Sequence, residues 1–226
     1  MLDDFIKMII EGYSNSLLVV SPAGLGKTYS VTEILEQLGL EKGKHYLYLS
    51  NYITPVEMFL LLEKVNSLDE PKLLVLDDVE AILPDKKVVG MLRGALWQTN
   101  GRRVVNYLSG TYRITNQSIE DFQGRIIFLV NEIGDNSMLK ALKDRGLYYS
   151  FDLTNKEVLD IIKSQILPKE YKNLGLDERT KVYRYLGKMA NSDIKLTLRD
   201  FIKAMDCYLY SSDRWQLLVN KILNKN

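Results

Sequence analysis

The chain has 226 residues, with 30 Lys and Arg against 29 Asp and Glu and a formal net charge of +1. That balance gives no electrostatic case for a nucleic-acid or acidic partner, so any such contact must come from a local patch. Hydrophobic residues at 46% and charged residues at 26% exclude disordered and collagen-like classes, and the length suits one good core, or a core with a small satellite domain. Residues 3–12 then read as a short amphipathic helix, with Phe5, Ile6, Ile9 and Ile10 on one face. Leu17 to Val20 is a buried strand, and Lys27 to Leu38 has helical spacing that Gly39 stops. Tyr46 to Leu49 is a second strand, rich in aromatics. Thr54-Pro55 with Glu57 starts a helix that runs to about Val65. Leu73 to Leu76 is a third strand, Val88 to Trp97 is helical, and Val104 to Leu108 reads as an extra strand. Ile126 to Val130 and Leu147 to Phe151 complete five main strands. Strands alternating with helices indicate a parallel sheet covered on both faces.

After about Asp152 only helical patterns remain, over roughly 154–166, 176–190, 198–210 and 212–223. Thr154 with Glu157, and Thr197 with Asp200, have N-cap spacing. The expected organisation is an α/β domain over 1–153 and a helical domain over 154–226.

Residues 21–28 read Ser-Pro-Ala-Gly-Leu-Gly-Lys-Thr, close to the GxxxxGK[ST] pattern but with Ser21 at the first glycine. Such a loop wraps phosphate oxygens with successive backbone N–H groups. Gly24 and Gly26 let the backbone curve without a Cβ clash. Lys27 brings a mobile charge for the β and γ phosphates, Thr28 a hydroxyl for magnesium, and the following helix points its positive end at the anion. LLVLDDVE (73–80) is a buried strand ending in acids, fifty residues after Lys27. It delivers carboxylates to the sheet edge where open α/β folds bind ligands. Asp77 is the candidate magnesium holder and Asp78 the candidate to orient or deprotonate water. Glu80 reads as a solvated helix residue. The two motifs together point to ATP or GTP.

These segments resemble the AAA+ ATPases over nearly the whole chain. SPAGLGKT is similar to that family's GPxGxGKT loop, Pro22 included, and LLVLDDVE to its acidic strand. The second acid there is usually glutamate, and aspartate resembles the pattern of bacterial replication initiators. GRIIFLVN (124–131) resembles the strand that ends in the sensor-1 residue, which makes Asn131 the candidate to hold the lytic water and γ-phosphate. ALKDRGLYYSFDL (141–153) resembles the clamp-loader segment where an arginine precedes the fifth strand, which makes Arg145 the candidate arginine finger. TLRDFIKAM (197–205) resembles the lid helix carrying sensor 2, with Arg199 as the choice and Lys195 as rival. Asn51 is a weaker candidate for the polar switch residue. The resemblance implies a five-stranded sheet of order 5-1-4-3-2 with a helical lid. It implies Mg2+-dependent ATP hydrolysis, with nucleotide contacts from Pro22, Ala23, Gly24, Leu25, Gly26, Lys27, Thr28, Tyr29 and Arg199, the ATP lying between core and lid. Since a finger reaches a neighbour's ATP, it also implies a homo-oligomer, a ring or open ring of five or six subunits.

No aromatic–apolar–glycine loop follows the second strand, and Tyr52-Ile53-Thr54 is a poor substitute. The chain therefore looks closer to clamp loaders, initiators, helicase loaders and small phage-encoded ATPases than to polypeptide-threading unfoldases. A DNA or replication-protein partner is expected, with a protein remodeller or a nucleotide-switched interaction module as alternatives. Lys86, Lys87, Arg93, Arg102 and Arg103 could form a basic strip, although a solvated surface explains them as well. The stretch from Val104 to Gln123 is long enough for a hairpin, in which Tyr107, Tyr112 and Arg113 suit either packing or base stacking.

Cys207, the only cysteine, excludes an intrachain disulfide, suits a reducing compartment, and reads as core. His45 is the only histidine and has no partners at ligand spacing, so neither a zinc site nor a nucleophile–histidine–acid set is expected. Acidic residues at positions 3 and 4 argue against a signal peptide, and the apolar runs are too short for a bilayer. The expectation is a cytoplasmic protein, cellular or viral, without a membrane partner.

Overall fold

The computed structural model describes residues 1–50, 52–78, 83–107, 117–190 and 194–223. The chain divides into two compact units, Met1–Ser21 with Lys27–Ser150, and Pro22–Gly26 with Phe151–Asn226.

The first unit is built on α1 (Leu2–Ile10), β1 (Ser16–Val20), α2 (Lys27–Gln37), β2 (Tyr46–Leu49), α3 (Pro55–Asn66), β3 (Leu73–Asp77), α4 (Lys86–Leu96), β4 (Val105–Tyr107), β5 (Gln117–Ile119), β6 (Arg125–Val130), α5 (Ser137–Arg145) and β7 (Leu147–Ser150). Five strands form one sheet in the order β2-β3-β6-β1-β7, every pair parallel. Leu17 to Val19, Leu73 to Leu76 and Ile126 to Val130 are fully buried. Continuous apolar strands of this kind are what a sheet covered on both faces requires. The helices begin where short polar side chains can take up free N–H groups. Thr54 and Glu57 form a capping box on α3, with Pro55 in its first turn. Asp85 and Asn136 cap α4 and α5.

The extra strand pairs antiparallel with β5 as a small separate sheet. Its start lies so close to α4 that a Cβ on Gly94 would sit 2.2 Å from the Val104 carbonyl oxygen. Arg103, read from sequence as part of a solvated surface, with a basic strip as the alternative, is instead buried. Its guanidinium donates to the carbonyls of Ala95 at 3.0 Å and Gly124 at 2.6 Å and lies over the Phe122 ring. Burial lowers its pKa to about 10. Tyr107 is also core, with its ring against Phe59, so packing accounts for it. Tyr112 and Arg113 lie outside the described residues.

The second unit contains α6 (Asn155–Ile161), α7 (Leu176–Met189), α8 (Leu198–Tyr210) and α9 (Trp215–Leu223). The first of these continues as a π-helical turn over Ile162–Ile166. Thr154 with Glu157 and Thr197 with Asp200 form capping boxes at the expected positions. Val158, Ile162, Leu186, Leu196, Phe201, Met205 and Trp215 make the core, and Leu25 joins them from the other end of the sequence. Tyr185 and Tyr208 pack edge-on against Trp215. Cys207 is buried, as expected. No helix among the described residues is long and apolar enough to cross a membrane.

Candidate functional site

In the α/β unit, the parallel register brings three strand ends together. Asp77 pairs with Leu129, so Asn131 falls two residues on and on the same face of the sheet. The Ser21 N–H donates to the Val130 carbonyl at 3.2 Å, which anchors the exit of β1. Lys27, the first residue of α2, is buried at 7% exposure. Its ammonium donates to the Ser21 carbonyl at 2.5 Å and to Asn131 Oδ1 at 2.9 Å. A buried ammonium needs polar acceptors, and here they come from the residue after β1 and the residue after β6. Ser21, the departure from the glycine pattern, is itself buried and serves through its carbonyl.

Asp77 ends β3 and is buried at 6% exposure. Its Oδ2 accepts from the Thr28 hydroxyl at 2.5 Å and from the Tyr48 hydroxyl at 2.6 Å, while Oδ1 accepts from the Asp78 N–H at 3.0 Å. Burial, and then the Asp77 carboxylate, push the Tyr48 phenol up to about 12. Thr28 and Asp77 therefore present a hydroxyl and a carboxylate side by side, an oxygen-only pair suited to a hard dication such as Mg2+. Asp78 is exposed and has φ of 50°, a left-handed conformation that aspartate tolerates better than most residues.

The middle of the loop belongs to the helical unit. Leu25 is buried in that unit's core, and the Gly24 carbonyl accepts from the backbone N–H groups of Leu198 at 3.0 Å and Arg199 at 3.4 Å. Gly24 and Gly26 have φ of 84° and 83°, and a Cβ on Gly24 would stand 3.0 Å from the Thr197 hydroxyl. The positive φ favours glycine at 24, and the space for a Cβ there is tight. Pro22, Ala23 and Arg199 are exposed. Lys195, the rival for Arg199, makes a salt bridge to Asp152 at 2.5 Å. Tyr29 is 47% exposed and donates its hydroxyl to Glu33 at 2.8 Å.

Arg145 is not brought to this cluster. Leu147 lies beside Leu17 and Ser150 beside Val20, so Arg145 precedes the start of β1 while the phosphate loop follows its end. The length of β1, about 16 Å at 3.3 Å per residue, separates the two along the sheet. There the exposed guanidinium lies over the Trp97 ring, 4.7 Å from its centroid. Asn51 and Glu80 lie outside the described residues. Ile53 is buried, so the segment after β2 does not offer its apolar side chain outward. His45 Nδ1 accepts from the Glu41 N–H at 2.9 Å, a local structural role. The described residues contain no group of three or more His, Cys, Asp or Glu that could hold a metal. Tyr48 is the residue of this cluster that sequence reasoning missed, and Trp97 the partner of Arg145 that it missed. The run of aromatics in β2 was the available signal for the first.

No family model matches the chain. An uncharacterized 36.7 kDa protein from the nrdC-mobD intergenic region of Enterobacteria phage T4 is 25% identical over 224 residues, covering 92% of this chain and 68% of that protein. Among solved structures, a point mutant of Thermotoga maritima RuvB aligns with a TM-score of 0.55 at 17% identity, over 100% of this chain and 69% of that one. A second RuvB mutant aligns at 0.53 and 17%, over 98% and 67%. A RuvB structure described as a Holliday junction branch migration motor aligns at 0.52 and 18%, over 98% and 66%. The chain shares the fold of these RuvB structures.

Proposed function

We propose that this protein binds ATP with Mg2+ and hydrolyses it as one subunit of a homo-oligomer, acting on a DNA-associated complex. The observation that carries the reading is the pairing of Lys27 with Asn131 beside the pairing of Thr28 with Asp77. One pair presents a buried cation beside a polar sensor, and the other an oxygen pair for a dication.

Bound Mg-ATP supplies the terminal phosphoryl group that water attacks in line. The positive end of α2, which opens at Lys27, faces the phosphates. Lys27 exchanges its contacts to Ser21 and Asn131 for phosphate oxygens, and Asn131 is then available to the attacking water. Thr28 and Asp77 hold the dication. Asp78 orients the water and takes its proton. Arg199, next to the residues that pin Gly24, senses the γ-phosphate. Arg145 stands at the opposite end of the strands from its own loop, which supports a role at a neighbour's site and turnover that depends on assembly.

The DNA-directed reading is supported by the description of the T. maritima RuvB neighbour as a branch migration motor. The phage T4 relative supports a virus-encoded protein. The deciding experiment measures ATPase rate with and without single-stranded and branched DNA, together with particle mass in each nucleotide state. Mg2+-dependent turnover that rises with DNA, in an assembly larger than a monomer, is expected. Full turnover by a monomer would overturn the trans role of Arg145. Stimulation by a protein and not by DNA would replace the DNA-directed reading with a protein remodeller. Tight ATP binding with equal behaviour of wild type and D78N would leave only a nucleotide-switched module.

A further inference from the structure

Among the described residues, Tyr48 is the contributor to the Asp77 cluster that neither the glycine loop nor the acidic strand supplies. It lies on β2, beside Val75 of β3 and therefore on the sheet face that also carries Asp77. Its hydroxyl reaches along that face to Asp77 Oδ2 at 2.6 Å. The Lys42 ammonium lies over its ring, 5.3 Å from the centroid. Phenol and ring are thus each engaged.

Among the described residues, three donors meet the Asp77 carboxylate. The Asp78 N–H is the next residue of the same chain segment and holds Oδ1. The Thr28 hydroxyl shares Oδ2 and is itself a candidate metal oxygen. A hydroxyl that gives a lone pair to a metal keeps its O–H for Asp77, but its direction is then set by the metal as well. Tyr48 is the donor to Oδ2 that carries no other duty in the proposed reaction. A buried carboxylate that loses a donor is less well oriented, and groups that orient metal ligands in this way commonly influence metal affinity nearly as much as the ligands do.

We infer that Tyr48 is a positioning residue for the metal: its hydroxyl holds the Asp77 carboxylate in the orientation that takes Mg2+. The inference rests on the proposed ATPase reading, in which Asp77 is the metal carboxylate. Y48F removes one oxygen atom and keeps the ring under Lys42, so the fold is retained. In the full-length chain, binding of a fluorescent ATP analogue is followed as Mg2+ is titrated, and again in EDTA, for wild type, Y48F, D77N and the double variant. In Y48F the Mg2+ concentration giving half-maximal tight binding rises about tenfold, while affinity in EDTA is unchanged. The Thr28 and Ser50 hydroxyls also face the phenol, so the double variant separates the routes: it matches D77N where Tyr48 acts through Asp77, and a further shift beyond D77N overturns the inference. A purely structural tyrosine would lower the melting temperature without moving the Mg2+ midpoint, and that result overturns the inference. If D77N shifts the midpoint and Y48F does not, the inference alone fails. If D77N leaves the midpoint where wild type has it, Asp77 is not the metal carboxylate, and the reading on which the inference rests fails with it.

Discussion

The Arg145 guanidinium stacks on the Trp97 indole, with 4.7 Å between the charge centre and the ring centroid. Arg145 is the last residue of α5 and Trp97 the residue after α4, so two helix ends meet where the sheet begins. An indole face holds a guanidinium by cation–π attraction and restrains a long side chain that is otherwise exposed. R145A should lower oligomer ATPase by roughly 10^3-fold, within the range for a transferred arginine, and leave ATP affinity unchanged. Mixing R145A with D78N subunits should recover part of the lost rate, because each supplies what the other lacks. W97A should cost only several-fold, from a contact of about 0.5–1 kcal/mol, and W97F should retain most of the activity. Failure of the mixed assembly to regain any rate would count against action across an interface.

Lys27 and Asn131 are 104 positions apart in sequence and 2.9 Å apart in space. The two should separate in binding and turnover measurements. K27A should abolish measurable ATP binding, because it removes the buried cation of the loop. N131A should leave binding nearly intact while turnover falls about 10^2-fold, the usual cost of deleting one polar group aimed at the reacting phosphoryl. Equal loss of affinity in both variants would place Asn131 in ground-state binding.

Much of this architecture was legible because its signals are local. The apolar strands, the Thr-x-x-Glu and Thr-x-x-Asp helix starts and the Gly-Lys-Thr core all depend on residues within a few positions of each other. Asp77 was legible as well, since a buried strand that ends in an acid declares the edge it serves. Contacts set by register were not. Tyr48 reaches Asp77 across 29 residues, and only the alignment of Tyr48 with Val75 makes that a neighbour on the same face. Arg102 and Arg103 look alike in sequence, yet Arg103 is buried because two distant carbonyls happen to meet its guanidinium. The placing of 22–26 with the helical unit also escaped, since Leu25 finds its apolar partners more than 130 residues further along.

That placement has its own consequence. Leu25 is 3% exposed, in a core with Val158, Leu196 and Phe201. L25A should destabilise the helical unit by about 2–5 kcal/mol, as buried leucine truncations do. It should also loosen the loop, seen as faster hydrogen exchange at Leu198 and Arg199, whose N–H groups face the Gly24 carbonyl. G24A should weaken nucleotide binding more than L25A does, since a Cβ there meets Thr197 and the φ of 84° is strained for alanine. Unchanged exchange at 198–199 in L25A would show that the loop does not depend on the buried leucine.

The helical unit should also carry an acid-sensitive tie. The Lys172 ammonium, and more weakly the Tyr171 hydroxyl, hold the Asp206 carboxyl below the usual carboxylate range. Tyr171 donates to Asp206 at 2.8 Å and Lys172 is ion-paired with it, which fastens the turn after the π-helical segment to α8. A carboxyl with a lowered folded pKa binds fewer protons folded than unfolded, so its contribution is complete above the unfolded value of about 3.9. It is lost as pH falls through the lower folded value. D206N should therefore melt below wild type at pH 7, with the gap closing as pH approaches 3. Because the pair is largely exposed, the gap should also shrink in high salt. A melting difference that stayed constant from pH 7 to 3 would assign the effect to packing and not to the carboxylate.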